Sequence, residues 1–172
     1  MTRYVSQGIT LIEMMIVIVI LSILLAIAVP NFSNLIISNQ ISSNASDFVD
    51  SLRLAKKEAN ARRTTVTVCV RNGNDCNANG TWDNGWLVFL NGNGNTTVDN
   101  GETIIYEYEA LDPRITFTAA DINGGALGIL SFTPSGNTNL TGSGAATFTL
   151  NNQDGTISRG IRVTVAGHAS PL

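Results

Sequence analysis

Hydrophobic and polar positions follow three regimes along the chain. Residues 9–29 form an almost unbroken apolar run whose one ionisable side chain is Glu13. At about 1.5 Å per residue, a helix of that length spans roughly 30 Å, the hydrocarbon thickness of a bilayer, so the run predicts a membrane-spanning helix. Beyond it, Leu35, Ile36, Ile41, Ala45, Phe48, Val49, Leu52, Ala55 and Ala59 recur at intervals of three and four, which predicts a helical continuation with one face to bury. Pro30 stands between the two halves. Its missing N–H and its ring predict a kink there, within one helix of about 80 Å from Ile9 to about Arg63. From Thr64 the period becomes two, in TTVTVCV, GWLVFL, ETIIYEYEA, RITFTA, ILSFTP, ATFTL and GIRVTVA, each bounded by Gly, Asn, Asp or Pro.

One long helix followed by about seven strands predicts an α+β fold, with an antiparallel sheet or pair of sheets packed on the amphipathic half-helix. The expected division is a membrane half-helix over residues 9–30, an amphipathic half-helix over 31–63 and a β-rich head over 64–172, with 31–172 folding as one globular domain. The Gly-, Ser-, Thr- and Asn-rich stretch 136–146 reads as a flexible surface loop. No internal repeat is present.

Composition supports a folded chain: 44% of the 172 residues are apolar and 13% charged. A cleaved secretory signal peptide would need a shorter apolar core and small residues after it, where this chain has a long run and Pro30. Cys69 and Cys76, the only cysteines, follow the membrane run in a part expected outside the cytoplasm, where a disulfide is the default. Closing so short a loop contributes about 2 to 3 kcal/mol. Two cysteines and a distant His168 are too few for a metal centre, and His168 reads as a solvated tail residue. Arg53, Lys56, Lys57, Arg62 and Arg63 crowd the end of the helix, where cations complement its dipole and solvate its outer face.

Catalytic signatures are missing: there is one histidine and no G-x-S-x-G, G-x-x-x-x-G-K or H-E-x-x-H, so no enzyme and no cofactor are expected. Asn91, Asn93, Asn95, Thr97, Asp99 and Glu102 fall at the ligand positions of an EF-hand loop, but Thr96 occupies the glycine position and only two candidates are charged, so no metal residue is named. Trp82 and Trp86 read as core or hairpin-closing aromatics.

The segment Gly8-Ile9-Thr10-Leu11-Ile12-Glu13 before an apolar helix resembles the processing and assembly signature of type IV pilins and type II secretion pseudopilins. The resemblance implies a leader over residues 1–8 cut by prepilin peptidase between Gly8 and Ile9, N-methylation of Ile9, and an assembly role for Glu13. Pilins most often carry Phe where Ile9 stands. Independently, an acid within a membrane run is costly unless paired, and functional by default. In the head, VTVCV, Cys76, Gly80-Thr81-Trp82, Gly85-Trp86-Leu87-Val88-Phe89 and NGNGNTTVDNGE resemble the GspH/FimT branch, closer to its FimT and FimU pilins.

The expectation from that resemblance is a structural minor pilin that helps initiate or cap a type IV pilus. Its partners would be prepilin peptidase, major and other minor pilins and the inner-membrane assembly platform. It would be anchored in the bacterial inner membrane by a single pass with its head in the periplasm. A type II secretion minor pseudopilin is the alternative, and a DNA-uptake pilin a second. Some FimT proteins bind DNA through Gly-Arg-x-Arg near the C-terminus, where this chain reads Gly167-His168-Ala169-Ser170. From Thr64 on, Arg71, Arg114, Arg159 and Arg162 are outnumbered about two to one by carboxylates, which opposes nucleic-acid binding. Arg159 and Arg162 are the remaining candidate DNA contacts, as a local patch.

Overall fold

The computed structural model describes residues 9–140 and 144–172, except for the side chains of residues 26–31. Helix α1 (Leu11–Arg62) continues through Pro30, so the proline does not end it. It stops at Arg63, which takes a left-handed conformation with φ 52°, the backbone state that commonly terminates helices.

The chain divides into two compact units, Met1–Ile36 and Ile37–Leu172. In the first, every described large apolar side chain is exposed, including Ile9 at 73% and Leu11 at 80%. Among the described residues no helix is long and apolar enough to cross a membrane. The described apolar side chains of the 9–29 run end at Leu25.

In the second unit the buried helical stripe is Ile37, Ile41, Phe48, Val49, Leu52, Ala55 and Ala59. The expected stripe began at Leu35 and Ile36, but both are exposed and Ile37 takes that place. The stripe advances by threes and fours from Ile37 and Ile41, and Leu35 and Ile36 belong to the other unit.

Among the described residues nine strands form two antiparallel sheets. The first contains β1 (Val66–Asn72), β2 (Asp75–Cys76), β3 (Trp86–Leu90), β4 (Ile104–Tyr108) and β6 (Ile129–Phe132), with β1 between β3 on one edge and β6 and β2 in succession on the other. The second is ordered β5 (Ile115–Ala120), β7 (Ala145–Asn152), β8 (Ser158–Thr164), β9 (Ala169–Pro171). The seven alternating runs of the sequence become β1 and β3 to β8. The two additional strands are too short for a period to register: β2 pairs two residues of β1, and β9 pairs three of β8. The segment expected to be a loose loop is tied down over 136–140, because Thr138 is buried and donates to the Val165 and Thr164 carbonyls, while the Asn139 amide oxygen accepts from Ser131 N–H. Residues 141–143 of that segment lie outside the described residues.

Phe48 is the point where helix and both sheets meet. Its ring lies 5.1 Å from Trp82 on a 3₁₀ turn (Trp82–Asn84), 5.1 Å from Trp86 on β3, 4.9 Å from Phe117 on β5 and 4.8 Å from Phe148 on β7. Three of the four contacts are edge-on, the geometry that ring quadrupoles favour. The turn that delivers Trp86 needs Gly85, at φ 87°, since a Cβ there would stand 2.2 Å from the Tyr108 carbonyl oxygen.

Phe48→Ala removes the ring common to these contacts and should cost about 3 to 5 kcal/mol. Chemical denaturation of the oxidised protein measures it, and a loss under 1 kcal/mol would show that the cluster closes over the gap.

Candidate functional site

At the start of α1, Thr10 and Glu13 cap the helix reciprocally. The Glu13 N–H donates to Thr10 Oγ1 at 3.3 Å, and Thr10 N–H and Oγ1–H approach Glu13 Oε2 at 3.4 and 3.5 Å. This is a capping box, legible in Thr10-x-x-Glu13 ahead of an apolar run but not drawn from the sequence above. At the outer limit of hydrogen-bond length, these bonds leave the exposed carboxylate with acceptor capacity for a stronger partner. Ile9 is exposed beside it. Gly8 lies outside the described residues, so the expected cleavage bond has only its Ile9 side here.

The expected disulfide is present: Cys69 and Cys76 are joined, with Cα atoms 5.6 Å apart. It sits on the face of the first sheet that turns away from Phe48, where Cys69, Leu87 and Phe89 form a second small core with Val98, Ile104 and Ile129. Strand β1 is thus buried on both faces, Val66, Val68 and Val70 toward α1 and Cys69 toward this cluster. The loop 91–102 covers the cluster. Asp75, beside Cys76, accepts from Val98 N–H at 2.9 Å and Cys76 N–H at 2.7 Å; those two backbone donors hold its carboxyl below the usual range.

Within that loop most side-chain oxygens at EF-hand spacing accept from protein donors: Asn91 Oδ1 from Gly94 N–H, Asn93 Oδ1 from Asn95 N–H, Asn95 Oδ1 from Thr97 N–H, Asp99 Oδ2 from the Asn93 and Asn95 amides, and Glu102 from Gly92 and Asp99 N–H. Among the described residues no cluster of three or more His, Cys, Asp or Glu side chains could hold a metal ion.

The basic cluster at the end of α1 is only partly a solvated face. Lys56 Nζ donates to the Ala166 and Gly167 carbonyls at 2.8 and 3.3 Å, tying the helix to the β8–β9 turn. Arg53 pairs with Asp50 and Arg62 with Glu58. His168 is exposed, as expected of it, but directly precedes the edge strand β9 rather than lying in a free tail, with its carbonyl accepting from Thr164 N–H. Arg159 and Arg162 do not form a patch. Side chains alternate along β8, so Arg159 shares a face with buried Ile161 and Val163 while Arg162 points to the other.

On the opposite flank of the helix, Tyr108 stacks on Trp86 with ring centroids 4.0 Å apart, and its hydroxyl lies 3.1 Å from Asn44 Oδ1 and 3.0 Å from Asp47 Oδ2. Burial and the Asp47 carboxylate push its pKa up to about 12. Arg71 is clamped between Glu107 and Glu109, fastening β4 to the β1–β2 hairpin.

Comparison with known proteins accords with this geometry. The family model described as type II transport protein GspH matches residues 44–167, most of the chain. The chain belongs to the GspH family. The prokaryotic N-terminal methylation motif matches residues 3–29. Among solved structures, the type IV minor pilin FimU of Pseudomonas aeruginosa is similar with a TM-score of 0.55 at 18% identity, covering 77% of this chain and 87% of that one. The minor pseudopilin EpsH from the type 2 secretion system of Vibrio cholerae is similar with a TM-score of 0.53 at 11% identity, covering 77% and 96%. These likenesses are of fold: a long N-terminal helix on antiparallel sheets. No curated protein sequence matches the chain.

Because the Tyr108 pKa is higher folded than unfolded, the unfolded chain gives up its proton first, and the stabilisation present below about pH 10 should be lost as pH rises toward 12. Tyr108→Phe should cost about 0.5 to 1.5 kcal/mol at neutral pH and flatten that alkaline limb. Denaturant midpoints from pH 8 to 11.5 check both, and an unchanged alkaline slope would remove Tyr108 from the account.

Proposed function

We propose that this GspH-family chain is a structural minor pilin of a type IV pilus. Prepilin peptidase cuts between Gly8 and Ile9 and methylates the new amine. Residues 9–30 then hold the chain in the inner membrane with its head in the periplasm until the assembly platform moves it into the filament, against major and other minor pilins. The observation that carries this reading is the exposed apolar start of α1, with Glu13 as its one carboxylate, on a chain whose second half is buried in a folded head. An aqueous monomer does not tolerate that much exposed apolar surface. Lipid and a bundle of sister helices are the two environments that cover it, and the methylation-motif match over residues 3–29 supports processing at its start. Of this anchor, the side chains of residues 26–30 are not described.

Lipid and helix bundle are equally apolar, so hydrophobicity sets little register between subunits. Glu13 supplies a directional term. Its carboxylate, held by long capping bonds within its own chain, can exchange them for the methylated amine of Ile9 in a neighbour, a stronger charge-assisted pair. Leaving one such charge buried without its partner costs about 3 to 5 kcal/mol.

A minor pseudopilin of type II secretion is the second reading, favoured by the description of the matching family and the likeness to EpsH. Deletion discriminates: loss of surface pili with secretion intact supports the pilus, and the reverse supports secretion.

Glu13→Ala should leave the chain membrane-inserted with its Cys69–Cys76 bond formed and reduce its content in sheared filaments at least tenfold. Normal incorporation would make Glu13 only a helix cap. For processing, mass spectrometry should find mature chains beginning at methylated Ile9, and Gly8→Val should accumulate the uncut form; wild-type filaments containing Met1 would end the prepilin reading.

A further inference from the structure

The separation of Arg159 from Arg162 puts Arg159 in different company. It emerges beside α1 in a groove of about 510 Å³ walled by Ser42, Ser46 and Arg53 on the helix and by Arg159, Ile161 and Pro171 on β8 and β9. Past Arg53 the groove opens onto a shelf bounded by Lys56, Lys57 and Asn60. Helix α1 and strand β8 thus bring Arg53, Lys56, Lys57 and Arg159 along one side of a chain whose net charge is −3. Asp50 takes up part of the Arg53 charge, but among the described residues neither Lys57 nor Arg159 meets a carboxylate.

The other flank of the helix has the opposite sign. Asp47 lines a hollow with Tyr106, and Glu107 and Glu109 border the next one along β4. Among the described residues Arg71 is the single cation paired with the latter two, so the flank keeps a negative surplus. Positive and negative flanks on opposite sides of one helix suit a heterologous contact, in which one flank of a subunit meets the other kind on its neighbour.

We infer that the groove docks the acidic flank of a neighbouring pilin-type subunit. Carboxylates pair there with Arg53 and Arg159, and on the adjoining shelf with Lys57, beside the apolar lining of Val49, Ile161 and Pro171. The inference rests on the minor-pilin reading. Nucleic acid fits the groove less well: specific DNA sites engage about 6 to 10 phosphates, whereas Lys56 is committed to backbone carbonyls and Asp50 would face the phosphates.

The test uses the full-length chain in its own cells, with the photo-reactive residue benzoylphenylalanine at Ser46 on the groove wall and, as a control, at exposed Thr116 on β5. Ser46 should capture another pilin-type subunit, with mass spectrometry placing the adduct beside Asp or Glu residues, and Thr116 should not. Arg53→Glu combined with Arg159→Glu should lower that adduct about tenfold, while the two Lys variants retain it. Lys57→Glu, on the open shelf, should weaken it a few-fold and repeats the test independently of β8. A chain found in sheared filaments but giving no Ser46 adduct, or an adduct indifferent to charge reversal, would overturn the groove and leave the minor-pilin reading standing. A gel shift of duplex DNA at physiological salt, lost in the Glu variants, would overturn it in favour of nucleic acid. Absence of the wild-type chain from filaments would overturn both readings.

Discussion

Everything in the head depends on one ring finding four others. Phe48 projects from α1 between two sheets that share no strand, and Trp82, Trp86, Phe117 and Phe148 close around it from a 3₁₀ turn and strands β3, β5 and β7. Neither sheet hydrogen-bonds to the other as a continuous ladder, so the helix is the common surface on which both bury their apolar faces. Such packing is dense and intolerant of lost volume. The same cluster explains why the polar groups around it are paired: Trp86 Nε1 donates to Ser51 Oγ, and Trp82 Nε1 to the Leu127 carbonyl, since a buried indole N–H without an acceptor would be costly.

The back of the first sheet follows a different economy. Its apolar residues are too few for a second domain core, and the chain covers them with a loop whose Asn, Asp and Glu side chains bond mostly to the loop itself. Asp75 anchors that cover to the β1–β2 hairpin, which the disulfide itself closes. A central strand buried on both faces reads as a continuous apolar run rather than a clean alternation, and β1 does so as Val-Thr-Val-Cys-Val.

A chain built this way divides its tasks along a single helix. The start of α1 carries exposed apolar side chains and one carboxylate, and the later half carries the core stripe with a basic flank and an acidic flank. Folding of the head draws chiefly on the stripe, to which Asp47, Ser51 and Lys56 add hydrogen bonds. In the proposed filament, association with other subunits draws on what the stripe leaves over.

The amino-acid sequence by itself determined the helix and the seven principal strands, because those are statements about period and each element is long enough to display one. It also determined the disulfide, since two cysteines so close in one chain have few alternatives. Thr10-x-x-Glu13 was equally legible as a helix cap, being local chemistry. Strands β2 and β9 were not, because two or three residues carry no period and pair only when a neighbouring edge is already in place. Only the tertiary structure decided the company each charge keeps. Arg159 and Arg162 look like one patch in the sequence, yet strand alternation sends them to opposite faces and joins Arg159 to Arg53, which is more than a hundred residues away. Lys56 looks like a solvated cation, yet it holds carbonyls of a turn near the other end of the chain. Such pairings are set by how helix and sheets pack, and packing depends on shape in three dimensions, which no spacing along the chain encodes.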